Sequence, residues 1–434
     1  MKALVTPLWL AILALSSPPA LAQAPGSGGQ PDSIEALLER ARQRRNEVQA
    51  RLLPQVKEIV DELELVSGRN ASAEMRILRE IGELGPEALP LFLPYLDPGL
   101  PKEKGPSYRA IVLAKALRRV PSDALTAGLI QLTTRATPEG QRLAVSVLAH
   151  QPADARIDAH LERRFQATEG FVRLECIRSL ALRGGHGELL TQALLDSDPE
   201  ILAAVLEALA TRQAAEAAGD VFGLLERPRI ASEVLDELTG YYASCPQVVD
   251  EQTFAKLLTL VLKQDIDAAA RIKLLNTLPS FAKSLTTKQK RLLEPIVDSH
   301  NSELSEAGLV CMALMGHRPS RNELIKSYTK QIEEYGGFPK AYEDRADMHL
   351  RLGEFSPAVK DYKRSLAELG ERAFLVTYRQ VWFKLAKAYV GSNKLRQAMD
   401  ALKDFGLGPQ MRRLVLADPA FEPLIESRHG RELR

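Results

Sequence analysis

Aromatic residues make up only 6% of the 434 residues, and there are three cysteines and two tryptophans. Cys176, Cys245 and Cys311 are odd in number, far apart and without CxxC spacing, which excludes a disulfide framework or a zinc ribbon. Cys176 and Cys311 sit in apolar helical stretches, where a free cysteine acts as a small buried hydrophobe; a disulfide or a reactive thiol is the alternative. After the first residues no apolar run reaches the about 20 residues that a membrane helix needs, so no integral membrane segment is expected in the mature chain. Charge of one sign is also missing. Lys plus Arg number 57 against 56 Asp plus Glu, which leaves no global pull toward nucleic acid or an anionic membrane.

Catalytic motifs are equally scarce. The seven histidines, His150, His160, His186, His300, His317, His349 and His429, form no HExxH or other close ligand pair, so no metal site is expected. Ser280-x-x-Lys283 and Ser327-x-x-Lys330 match an SxxK tetrapeptide, but KTG is absent and the enzymes that use it need a mixed sheet. Asp196-Ser197-Asp198 is too short for a calcium loop and reads as a turn with a helix cap. No GxSxG, P-loop or dinucleotide fingerprint occurs, so neither a catalytic residue nor a cofactor is assigned.

Alanine, leucine and a period are what the chain does have. Residues 1–22 read as a signal peptide: Lys2, an apolar core from Leu8 to Leu15, and a small-x-small site at Ala20-Leu21-Ala22. Residues 23–31 form a Gly/Ser linker. Residues 32–66 read as a helix capped by Asp32-Ser33, with Ile34, Leu37, Leu38 and Ala41 at helical spacing and a basic but interleaved outer face. It is read as a cap on the helical array that begins near residue 70, and Pro54 is expected to kink or break it.

From residue 70 to 320 the chain repeats in units of roughly 30 to 40 residues, each two short amphipathic helices. A pair this size cannot bury its own apolar face, so pairs must stack. The expected fold class is all-α, an α-solenoid. Helices are expected at Met75–Leu84 and Pro86–Leu96, Tyr108–Val120 and Pro121–Leu132, Gln141–His150 and Arg156–Phe165, Phe171–Leu182 and Gly187–Leu195, and Ile201–Ala210 and Ala214–Leu225. Looser copies begin near Ile230, Asp267 and Glu303. Arg109, Arg142 and Arg173 fall 33 and 31 residues apart. Phe171-Val172-Arg173-x-x-Cys176-x-x-Ser179-Leu180-Ala181-Leu182, followed by Asp196-x-Asp198-Pro199-Glu200, resembles HEAT repeats of the short bacterial type.

Over 321–408 the grammar changes. Tyr342, Ala346, His349, Ala358, Tyr362 and Ser365, then Trp382, Leu385, Ala386, Tyr389, Ala398, Leu402 and Phe405, fall at the offsets of a tetratricopeptide repeat (TPR). Arg345 and His349 depart from the Leu and Tyr of that pattern, and about six extra residues sit near Gly370 to Val376. Residues 409–434 resemble the tail that caps many bacterial chains of this kind. The resemblance implies that the first helix of each pair lines a concave groove. Lys340, Glu343, Asp347, Leu350, Arg351, Gln380, Phe383, Lys384 and Lys387 would then face a partner. Glu343 and Asp347 stand where a carboxylate clamp would need Lys and Asn, so capture of a C-terminal carboxylate is not implied. Phe383 either faces the ligand or packs on Gly391 or the end cap.

These features point to a non-catalytic, exported scaffold, periplasmic or secreted, that holds protein or peptide partners in envelope assembly or secretion. The alternatives are a lyase-like or maturation-factor accessory built on HEAT repeats, or a binder of cell-wall polysaccharide.

Overall fold

The computed structural model describes residues 34–65, 71–97, 108–334, 336–375 and 378–433. The expected signal peptide, linker and Asp32-Ser33 cap lie outside the described residues. Among the described residues every regular element is a helix and none is a strand. The chain divides into two compact units between Cys245 and Pro246, so the change of grammar near Arg321 falls inside the second.

In the N-terminal unit, α1 (Ile34–Leu65) runs without interruption through Pro54, which does not break it. Leu52, Val56, Ile59, Val60 and Leu63 form its buried stripe. Pro54 and Ala50 both lie on the exposed face, so the carbonyl that loses its donor can be hydrated. After α2 (Ala71–Glu83) the expected second helix is a 3-10 segment, Leu89–Leu96, because Pro90 and Pro94 each remove a backbone donor. It remains a core element, with Leu89, Phe92 and Leu96 fully buried. Asp97 at its end accepts the Thr137 hydroxyl at 2.6 Å.

The rest of the unit comprises α3 (Tyr108–Arg119), α4 (Asp123–Arg135), α5 (Pro138–Leu148), α6 (Ala155–Ala167), α7 (Gly170–Arg183), α8 (Gly187–Ala193), α9 (Pro199–Thr211), α10 (Ala218–Leu225) and α11 (Ser232–Ser244). Four starts carry side-chain caps: Ser122, Thr137, Asp154 and Asp198 accept backbone N–H groups of Ala124, Gly140, Arg156 and Glu200, the last at the turn expected to hold one. The expected helix at Ala214–Leu225 is split, with a 3-10 turn at Ala215–Ala217 before α10. Alternate helices pack in succession, α3 on α5, α5 on α7, α7 on α9 and α9 on α11. Buried Ala110, Ala114, Ala144, Ala204 and Ala208 lie on these helices, where small side chains let backbones approach. Consecutive helices also pack closely, α4 on α5 and α6 on α7.

The C-terminal unit runs through α12 (Glu251–Leu260), α13 (Ala268–Thr277), α14 (Thr287–Val297), α15 (Ser302–Leu314), α16 (Arg318–Glu334), α17 (Pro339–Arg351), α18 (Phe355–Leu369), α19 (Arg379–Gly391), α20 (Leu395–Phe405), α21 (Pro409–Ala417) and α22 (Glu422–Glu426). Here the close pairs are α17 with α18 and α19 with α20. Ala346, Ala358, Ala386 and Ala398, the small residues of the second period, are all completely buried. Val310, Ala313, Leu324 and Met348 form a smaller core that joins α15, α16 and α17. The extra residues after α18 form a 3-10 turn, Gly370–Phe374. Its Phe374 ring stacks on Trp382 at 5.6 Å, and the Trp382 indole N–H donates to the Ala373 carbonyl at 3.0 Å. The tail closes on the core through Val415, Phe421, Leu424 and Leu433. It passes so near itself at Gly430 that a Cβ there would lie 2.2 Å from the Leu424 carbonyl oxygen.

Candidate functional site

Helices α17 and α19 bring four of the nine candidate residues into one polar cluster. Glu343 and Asp347 are one turn apart on α17, so their carboxylates share a face. Lys384 reaches across from α19, its Nζ 2.8 Å from Glu343 Oε1 and 2.6 Å from Asp347 Oδ2. Burial works against the Lys384 charge, but the bonds to Asp347 and Glu343 outweigh it and hold its pKa above the ordinary lysine value. Tyr362 on α18 donates to the other Asp347 oxygen at 2.6 Å. Burial first, and then this bond, push the phenol up, so Tyr362 stays a donor. Lys340, at the exposed start of α17, lies 3.5 Å from Glu343 and 3.0 Å from Asp344.

The other candidates go elsewhere. Phe383 packs into the core against Phe405 and Phe421, at ring distances of 5.7 and 5.0 Å, so it docks on the end cap. Gly391 meets Phe355 instead, whose ring would stand 2.4 Å from an added Cβ. Lys387 pairs with Asp418 at 2.5 Å and lies 5.5 Å from the Phe383 ring centroid, which ties α19 to the tail. Leu350 packs against the core at its edge. Arg351 is exposed, with its guanidinium 3.5 Å from the Asn276 side-chain oxygen, and Gln380 is exposed at the start of α19. The open part of the face is thus Arg351 and Gln380, with Lys340 at the exposed edge of the cluster.

Behind this face lies a buried polar network that the sequence registered only as two departures from a pattern. Arg345 grips Asp361 with two bonds of 2.7 and 2.8 Å and donates to the Thr329 hydroxyl at 3.0 Å. His349 Nδ1 sits 2.5 Å from Glu354 Oε2, and Glu354 also faces Arg321. Burial holds the His349 pKa down, against the pull of Asp361. The Asp361 carboxylate is only 6% exposed. The network links α16, α17 and α18. No motif could have revealed it, because Asp361 and Glu354 lie 16 and 5 residues beyond their partners.

In the N-terminal unit the two halves of the Arg173 to Glu200 motif meet. Arg173 bonds Asp196 at 2.6 Å, and Asp196 accepts the Asp198 N–H at 2.9 Å. Arg173 also covers the Phe165 ring at 4.7 Å. Arg142 pairs with Glu139 on its own helix at 2.6 Å and lies 3.9 Å from Glu175 on α7.

Six of the histidines have separate close contacts: His150 the Ser146 carbonyl, His160 Thr133, His186 Glu162, His317 Ser320, His349 Glu354 and His429 its neighbour Arg428. Among the described residues no group of three or more His, Cys, Asp or Glu is placed to hold a metal ion. The three cysteines are free and fully buried, and burial pushes Cys176 and Cys311 up to about 12, so both remain thiols. No helix among the described residues is long and apolar enough to cross a membrane.

His160 gives the N-terminal unit an acid-sensitive point. It is buried and 2.6 Å from Thr133, and burial, with Arg163 and Arg164 nearby, lowers its pKa. The folded state therefore refuses a proton that the unfolded chain accepts at about pH 6.5. Stability is thus unaffected above that value and falls as pH drops below it. The urea midpoint of wild type should decline between pH 7.5 and 5.5, and His160→Gln should remove part of that decline. An equal decline in both proteins would reject the assignment.

No protein-family model matches the chain, and no curated protein is significantly similar to it.

Proposed function

We propose that the chain is a non-catalytic exported scaffold that binds a protein or peptide partner along the α17–α19 face of a TPR-like array. On this reading the N-terminal unit is a HEAT-like stack of helix pairs, and the first 22 residues direct export to the periplasm or beyond. The observation that carries it is the α17–α19 face itself, where a charged cluster is preorganised by cross-helix bonds and flanked by exposed Lys340, Arg351 and Gln380. Fixed, half-exposed charges of both signs suit an extended peptide or a helix laid across a groove, and confer register more than raw affinity. The buried alanines at both helix crossings and the Arg173–Asp196 bond support the two repeat readings. The dispersed histidines favour this reading over a lyase-like accessory.

The test is a cell-envelope pull-down under mild crosslinking, with wild type and the double variant Lys340→Glu/Arg351→Glu. Both side chains are exposed, so the fold should survive the reversal. A specific protein captured by wild type should be lost from the variant. Recovery of no specific protein, or of the same protein with both baits, would count against the reading.

A further inference from the structure

The C-terminal unit holds a second candidate surface that shares no residue with the α17–α19 face. A cleft of about 300 Å³ opens between α18, α19 and α20. That volume is at the small end of ligand sites and suits a single side chain. One wall is aromatic. Trp382 and Tyr389 lie seven residues apart on α19, which places both rings on one face of the helix. The indole N–H of Trp382 is already spent on the Ala373 carbonyl, so Trp382 has only its π-face to offer. Phe374, stacked on it, fixes the plane of the ring. Phe374 is itself 56% exposed and, through its stacking on Trp382, adds apolar surface beside the cleft.

The opposite wall is acidic. Asp400 and Asp404 stand one turn apart on α20, and neither forms an ion pair among the described residues. Burial, and then the Asp400 charge, raise the pKa of Asp404. The chain already lays one cation in this cleft: Lys363 Nζ is 5.9 Å from the Tyr389 ring centroid. The Trp382 face, the paired carboxylates and the cation that already lies against Tyr389 mark the cleft as one that favours positive charge. A guanidinium fits better than an ammonium, because it is flat, weakly hydrated and presents a fork of donors that can stack on a ring while bonding carboxylate.

We propose that this cleft receives an arginine side chain of a partner peptide, its guanidinium against Trp382 and Tyr389 and bonded to Asp400 and Asp404, with an apolar neighbour on Phe374. Lys363 is the competing cation that the arginine displaces.

The probe is the blocked dipeptide acetyl-Phe-Arg-amide, titrated into the full chain carrying Trp9→Phe. Trp382 is then the sole tryptophan and reports on the cleft directly. Saturable quenching is expected. Replacing the arginine by citrulline, which keeps the shape without the charge, should weaken binding about tenfold or more, as should Asp400→Asn/Asp404→Asn. Lys363→Ala should tighten it. The Lys340→Glu/Arg351→Glu variant should bind the dipeptide as wild type does, so failure here and failure of the α17–α19 reading are told apart. The proposal is overturned by an absent saturable response, by equal binding of the citrulline peptide, or by an Asp400→Asn/Asp404→Asn protein that melts normally and binds unchanged. Saturation by the neutral sugar chitotriose in place of the dipeptide would assign the cleft to polysaccharide and overturn it as well.

Discussion

Asp361→Ala should destabilise the C-terminal unit by about 3–5 kcal/mol, the usual result of removing one partner from a buried ion pair. Asp361 is almost fully enclosed, and its loss leaves the Arg345 guanidinium, itself only 19% exposed, without either of its two strongest bonds. It also removes the one carboxylate that supports positive charge at His349 from the far side of the ring. The matched control is Arg345→Leu/Asp361→Leu, which takes out both charges together. Well-packed apolar replacements of a buried pair are commonly neutral or better, so the double variant should lie within about 1 kcal/mol of wild type. Urea unfolding of the full chain, followed by a probe in the C-terminal unit, measures both. A single variant no weaker than the double would mean that the network is not coupled as described.

Phe421→Ala should have an effect of similar size for a different reason. Phe421 is completely buried in the tail, with the Phe383 ring 5.0 Å away and Leu424 and Leu433 in the same core. Truncating a buried phenylalanine removes transfer energy and leaves a cavity, together about 3–5 kcal/mol. The loss should also loosen the tail selectively. Amide exchange should accelerate across α21 and α22 and at Phe383, and much less in α17 and α18. Uniform acceleration through the unit would show that the tail is no separate cap but part of one cooperative body.

These two residues mark how far the sequence could be read. The helices were legible because their signals are local: alanine and leucine at helical spacing, and the Asp198 cap at the start of α9. Proline misled in both directions. Pro54 passed through a helix because it faces water, while Pro90 and Pro94 turned an expected helix into a 3-10 segment. The site was legible only as a set of helix faces. Glu343, Asp347 and Lys384 do meet, but the position of Phe383 depended on Phe421, 38 residues later, which no periodicity connects to it. Arg345 and His349 looked like losses from an apolar pattern and are instead the centre of a polar one, because their partners are fixed only when α17 and α18 pack.

The claim that the α17–α19 face holds a partner is tested most directly by site-specific photo-crosslinking in the cell envelope. A benzoylphenylalanine in place of Gln380, exposed on that face, is compared with one in place of Lys360, exposed on α18. The account predicts a discrete adduct at position 380 that is absent at 360 and is lost with Lys340→Glu/Arg351→Glu. Equal labelling at both positions, or no discrete adduct at 380, would contradict it.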